Sequence, residues 1–134
     1  MYDGDHPSRR SSCLLADDDE VSQEIVARYV ASLGYVDLEI VSDGRDALIR
    51  CMAQKFDLLI LDREMPFIHG DKLIRHLHAS NNANSTTPTV LFSASSGAEI
   101  VEIGAHCSAD VILSKPLNRS EFLTVIHNLL HPSL

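Results

Sequence analysis

Five short apolar runs recur along the chain: CLLA (13–16), LEIV (38–41), LLIL (58–61), TVLF (89–92) and VIL (111–113). Their length and their aliphatic, partly β-branched character predict strands. The runs are nearly continuous in apolar character, without the regular alternation of a sheet that has one wet face, so the strands are expected to be covered on both sides. Between the runs the apolar spacing changes to that of a helix: Val21, Ile25, Val26, Tyr29, Val30 and Leu33; Ala47, Leu48 and Cys51; Leu73, Ile74 and Leu77; Ile100, Val101 and Ile103; Phe122, Leu123, Val125, Ile126 and Leu129. Gly34 marks the end of the first helix, and Ser120 followed by Glu121 the start of the last. Strand and helix thus alternate five times, which predicts a parallel sheet with helices on both faces and right-handed crossovers. Chain order alone leaves the order of strands within the sheet open.

The length of 134 residues fits one domain able to bury a core without disulfides or a structural metal. Nineteen acidic residues against eleven Lys and Arg give a formal charge of −8, which argues against direct nucleic-acid binding and suits cations or basic partners. Cys13, Cys51 and Cys107 are odd in number and lie in or beside apolar stretches, as free thiols in a reducing, cytoplasmic setting would. No apolar run approaches the about 18 residues needed to span a bilayer, so no membrane association is expected. The opening MYDGDHPSRRSS is too polar for a signal peptide, and residues 1–12 read as a disordered tail or linker ahead of one domain at 13–131.

In an open parallel sheet, ligands bind beyond the carboxyl ends of the strands, where the winding reverses. The residues that follow each strand therefore outline the candidate site. After the first run comes Asp17-Asp18-Asp19-Glu20; after the third, Asp62 in LDREMP; after the fourth, Ser93 in FSAS; after the fifth, Lys115 in SKPL. The second is followed only by SDG, a turn with a helix start. Two unit charges about 4 Å apart repel by roughly 4 kcal/mol at an effective dielectric near 20, so gathered acids call for a positive partner. An acidic first helical turn would account for part of the cluster. Asp62, directly after a core-like run and ahead of a loop, is harder to explain that way. Carboxylates from two strand ends suit a hard divalent cation such as Mg²⁺. An aspartate can also attack a phosphoryl group to form an acyl phosphate, with metal, lysine and hydroxyl neutralising and positioning the transferred group.

Taken together, these motifs resemble the receiver (response-regulator) domain of two-component phosphorelay signalling. The resemblance rests on the acidic pair after the first strand, LLILDREMP with Met65-Pro66 and Gly70 behind Asp62, Ser93-Ala94, and Lys115-Pro116. It implies a doubly wound, five-stranded, flavodoxin-like (βα)5 fold. It also implies that Asp62 is the phosphoacceptor, that Asp18, Asp62 and the backbone carbonyl of Glu64 ligate Mg²⁺ with Asp17 assisting through water, and that Ser93 and Lys115 contact the phosphoryl group. Asp19 and Glu20 then fall in the first helical turn. The implied donor is a phosphohistidine of a sensor histidine kinase or a histidine phosphotransfer protein, docking beside the first helix and the Lys115-Pro116-Leu117 loop. A homodimer through the fourth helix, fifth strand and fifth helix is a further expectation. Such a chain is a signalling phosphoacceptor, not an enzyme, and would be a single-domain regulator or a receiver cut from a larger protein.

The family usually carries Tyr or Phe three residues before this lysine, where the chain has Ile112. Glu64 and Ser95 stand at positions that vary within it. Among rival readings, a flavin or nucleotide binder would want Gly, Ser or Thr after the first strand, and DDDE repels phosphate without a metal. An aspartate-based phosphatase would use Glu64 as its general acid, but Met-Pro follows and no cap domain is present. A non-phosphorylated pseudo-receiver serving as an interaction scaffold is the alternative of the same shape. His76 and His78, two apart on a helix, cannot share a face as metal ligands.

Overall fold

The structure is a computed structural model and describes residues 10–94 and 108–132. Its elements run β1 (Ser11–Ala16), α1 (Glu20–Ala31), β2 (Val36–Val41), α2 (Gly44–Ala53), β3 (Leu58–Asp62), α3 (Gly70–Ala79), β4 (Thr89–Ser93), β5 (Val111–Ser114) and α4 (Arg119–Leu130). The helical pattern at Ile100, Val101 and Ile103, together with Ser95, Gly97, Gly104 and Cys107, lies outside the described residues. The helix labelled α4 is therefore the last of the five helical segments in the sequence.

All strand pairs are parallel, and the sheet order is β2-β1-β3-β4-β5. This is the doubly wound order of flavodoxin-like sheets, in which the winding reverses between β1 and β3. Each of the five apolar runs lies within a strand. The first two strands start earlier than their runs, at Ser11 and Val36. Ser11 donates its N–H to the carbonyl of Tyr35 at 2.8 Å and Ser12 to the Asp57 carboxylate at 2.8 Å, so residues 11 and 12 belong to the sheet.

Successive residues of a strand face opposite sides, and the core divides accordingly. Leu14, Leu59, Leu61 and Leu91 pack with Ala47 and Cys51 of α2 and Leu73, Ile74 and Leu77 of α3. Cys13, Leu15, Ile60, Val90 and Phe92 pack on the other side with Val26 and Val30 of α1 and Phe122 and Ile126 of α4. Every residue of β3 and β4 is buried, as expected of strands covered on both faces. The expectation fails for β2 and β5, which end the sheet and mix buried with accessible positions; Ile40 is 40% exposed. An edge strand has a neighbour on one side only, so helices cannot cover it fully.

Local chemistry sets the helix ends. Asp19 caps α1 by accepting from Ser22 N at 3.1 Å, and Asp43 of the SDG turn caps α2 through Asp46 N at 2.7 Å. Gly34, at φ 80°, lets the chain turn back after α1. The start of α4 lies one residue before Ser120, and its cap is Asn118, which accepts from Glu121 N at 2.9 Å. The ordinary cap signal is present there, but borne by a different side chain from the one expected. Between α3 and β4, buried Asn84 satisfies four groups: it accepts from Phe56 N and Thr87 Oγ1 and donates to the carbonyls of Cys51 and Gln54, all within 2.6–2.9 Å. Among the described residues no helix is long and apolar enough to cross a membrane.

Candidate functional site

The ends of β1 and β3 meet at the point where the winding reverses. Asp17 N donates to Val41 O at 3.1 Å, continuing the β1–β2 ladder one residue past the strand and holding Asp17 against the sheet. Its carboxylate Oδ1 accepts from Asp19 N at 2.9 Å, and its carbonyl accepts from Gln23 Nε2 at 2.6 Å. These bonds turn the other oxygen, Oδ2, inward, where it is buried and accepts no hydrogen bond from any described residue. Asp18, next along, is exposed. Asp62 is the last residue of β3 and is buried; Arg63 N donates to Phe92 O at 2.9 Å and continues the ladder with β4. Asp17, Asp18 and Asp62 can each present a carboxylate oxygen to one point, these atoms lying within 4.8 Å of one another.

Lys115 closes the group. Its N–H donates to Ser93 O at 2.8 Å, extending the β4–β5 ladder. The ammonium lies 3.3 Å from Asp62 Oδ2 and 3.6 Å from Asp17 Oδ2, and 5.0 Å from the centre of the Phe92 ring. The Lys115 ammonium so placed faces the Asp17 and Asp62 carboxylates together. Burial, then the neighbouring Asp17 carboxylate, push the Asp62 carboxyl up to about 7, with Lys115 pulling the other way. Burial thus favours a protonated Asp62 well above the ordinary carboxylate range.

The loop after β3 supplies the remaining groups. Glu64 N donates to Asp62 Oδ1 at 3.3 Å, and the Glu64 carboxylate accepts from Ser93 Oγ at 3.4 Å and pairs with Arg63 at 2.7 Å. Arg63 also faces Asp71 at 3.5 Å. Gly70 opens α3 directly against the acceptor strand: a Cβ there would stand 2.5 Å from the Asp62 carbonyl oxygen and 2.8 Å from Leu91 Cδ1. Only glycine lets the two backbones approach so closely.

Every site residue read from the sequence thus lies at this edge, with Asp17, Asp18 and Asp62 in mutual reach, Lys115 beside Asp17 and Asp62, and Ser93 on Glu64. Ser95 lies outside the described residues. Sequence reasoning missed Gln23 and Arg63. Gln23 reaches back to Asp17 from the start of α1, a tertiary relation with no local signal; Arg63, in the DREMP loop, carries no motif signal of its own. Cys13 and Cys51 are buried thiols, pushed up to about 12 by burial and so inert as nucleophiles.

A comparison with protein families matches residues 13–127 to the one described as "Response regulator receiver domain". The sensor protein EvgS of Escherichia coli O157:H7 is 33% identical over 123 residues, which cover 90% of this chain and 10% of EvgS. The chain spans about half the length of other curated relatives that it matches. Among solved structures, the receiver domain of the Francisella response regulator 1452 aligns with a TM-score of 0.77 at 26% identity, covering 90% of this chain and 97% of that one. The receiver domain of sensor histidine kinase PA1611 from Pseudomonas aeruginosa PAO1, which has a magnesium ion coordinated in its active-site cleft, shares the fold with a TM-score of 0.80 at 23% identity, covering 90% and 98%. With the family matched over most of its length and its acids, hydroxyl and lysine gathered at the sheet's switch point, this chain belongs to the response regulator receiver domains of two-component signalling.

Proposed function

We propose that Asp62 accepts a phosphoryl group from a phosphohistidine of a sensor histidine kinase or a histidine phosphotransfer protein, with Mg²⁺ bound at the same edge. The buried Oδ2 of Asp17, which accepts no hydrogen bond from any described residue, is the observation that carries this reading. That oxygen has the Lys115 ammonium at 3.6 Å, but the three clustered acids exceed that one charge, so a further cation would be favourable there, and an all-oxygen donor set suits Mg²⁺. Asp18, Asp62 and the backbone carbonyl of Glu64 would hold the ion directly, and Asp17 would reach it through water. Bound Mg²⁺ would neutralise the carboxylates and the oxygens of the incoming phosphoryl group.

In the transfer an Asp62 carboxylate oxygen attacks phosphorus; the P–O bond forms as the P–N bond of the donor breaks, and the electron pair returns to the imidazole. Lys115, already beside Oδ2, meets the added charge on the acyl phosphate. Ser93 Oγ leaves Glu64 for a phosphoryl oxygen. A groove of about 460 Å³ lined by Ser22, Ile25, Tyr29, Pro116 and Leu117 borders Lys115 and offers the donor an apolar seat. The chain then acts as a stoichiometric, cytoplasmic phosphoacceptor whose own groups make and hydrolyse the acyl phosphate.

The test is incubation with acetyl phosphate and Mg²⁺, read by intact mass. The parent should gain one phosphoryl group and the Asp62→Asn protein none. Labelling of that variant at the parent's rate would remove Asp62 as acceptor, and a parent that takes no label from acetyl phosphate or phosphohistidine donors would be a pseudo-receiver scaffold.

A further inference from the structure

At the opposite edge of the sheet, Tyr35 stands just before the first residue of β2 and faces the end of α4. His127 lies in the last turn of that helix and His131 is its C-cap, with His131 N donating to His127 O at 2.9 Å. One helical turn therefore separates two exposed imidazoles, whose ring centres are 4.8 Å apart at an interplanar angle of 43°. Tyr35 Oη is 2.9 Å from His127 Nδ1, and the tyrosine ring meets the His131 ring edge-on at 5.0 Å.

We propose that His127 and His131 form a chelating site for a late first-row divalent cation, copper(II) most tightly, with Tyr35 as the residue that orients His127. A metal about 2.0–2.1 Å from a ring nitrogen lies about 3.2 Å from that ring's centre. Centres 4.8 Å apart then subtend about 97° at a shared cation, between the square-planar and tetrahedral angles. His127 Nδ1 is engaged by Tyr35, which leaves Nε2 for the metal. In the bound form Nδ1–H donates to Tyr35 Oη, the hydrogen bond that commonly fixes the tautomer of a metal-bound histidine. The carboxyl end of a helix attracts positive charge, and the chain carries a formal charge of −8. Water fills the remaining coordination positions. Imidazole ligands select copper, nickel and zinc, whereas the oxygen ligands at Asp17, Asp18 and Asp62 select Mg²⁺, so the two edges would take different ions.

The test is titration of the full chain with Cu²⁺ at neutral pH, by calorimetry and electron paramagnetic resonance. One tight equivalent with hyperfine coupling to two imidazole nitrogens is expected, unchanged in the Asp62→Asn protein. His127→Gln and His131→Gln should each lose at least about 100-fold in affinity, because a second ligand held in place makes closure of the chelate intramolecular. Tyr35→Phe should weaken binding about 10-fold while keeping both nitrogens in the spectrum. Both histidines are exposed, so metal-free thermal unfolding should show the variants folded. Copper affinity within about twofold of the parent in both histidine variants, or a two-nitrogen spectrum in the double variant, would overturn the assignment and leave an aromatic cluster only.

Discussion

Replacing Asp62 with asparagine should make the metal-free protein more stable, although the substitution removes its proposed reactive group. Asp62 stands at about 7 in the folded chain against an ordinary 3.8, because burial and Asp17 oppose its charge more than Lys115 favours it. Between those values the folded state holds a proton that the unfolded state has released. By linkage, stability therefore falls as pH rises from about 4 to about 7, and the full penalty is present above that window. The penalty is on the order of a few kcal/mol above pH about 7 and becomes small near pH about 4. The amide of the Asp62→Asn protein would resemble the protonated carboxyl without titrating. The variant should thus unfold on the order of 10 °C higher than the parent at the upper pH in the presence of a chelator, with the gap closing as pH falls.

Magnesium provides the complementary half of the experiment. A ligand that binds only the folded state at about ten times its dissociation constant adds about 1.4 kcal/mol. The parent should gain this and the variant, lacking one proposed ligand, less of it, so the gap should narrow when the ion is added. Thermal unfolding followed by circular dichroism across pH, with and without Mg²⁺, reads all of these quantities. A gap that is independent of pH, or a parent more stable than the variant at the upper pH without metal, would refute the account of Asp62 as a strained acid. Asp17 opposes the charge of Asp62, so combining asparagine at both positions should stabilise by less than the sum of the single changes.

Other perturbations separate the site from its scaffold. Lys115→Ala removes the cation beside Asp17 and Asp62 and should cost about 1–3 kcal/mol in metal-free protein near neutral pH, while labelling by acetyl phosphate persists; a loss of labelling equal to that of Asp62→Asn would contradict it. Asn84→Ala leaves two buried carbonyls and the Phe56 N–H without their partners and should lower stability by about 3–5 kcal/mol, measurable by urea unfolding, with the phosphorylation rate of the folded fraction unchanged. Ile112→Ala, at a partly buried place on β5, should cost about 1–2 kcal/mol and leave Asp62 labelling intact by mass; abolished labelling would show that position 112 acts in the chemistry and not only in packing.

Much of the fold was legible because each strand is announced by an apolar run that no other segment could bury. Central strands were the plainest: β3 and β4 lie between neighbours and under helices on both sides, and LLIL and TVLF carry no polar residue except Thr89, which pairs with Asp110. The edges were misread for the converse reason. LEIV of β2 reads like a core strand, yet Glu39 and Ile40 are both accessible, and Glu39 pairs with Arg50 of α2. Composition of a four-residue run cannot say whether a neighbour covers it. The same limit applies to strand order, which depends on crossovers and helix packing and not on any single segment.

The site was more legible than the helix ends, and the reason is topological. In a parallel sheet every strand points its carboxyl end to one edge, so the residue after each apolar run is placed near the others before any distance is known. Asp17, Asp62, Ser93 and Lys115 each follow a run by a residue or two, and the β-ladders extend past the strands to hold them: Asp17 N on Val41 O, Arg63 N on Phe92 O, Lys115 N on Ser93 O. What could not be foreseen is how the carboxylates are tied. The bond from Asp19 N occupies one oxygen of Asp17 and Gln23 secures its carbonyl, and together they decide which oxygen is left to face Lys115 without a hydrogen bond. That choice depends on how α1 seats against β1, which no motif records, and it leaves a buried carboxylate oxygen beside Asp62 and Lys115 at the switch point of the sheet.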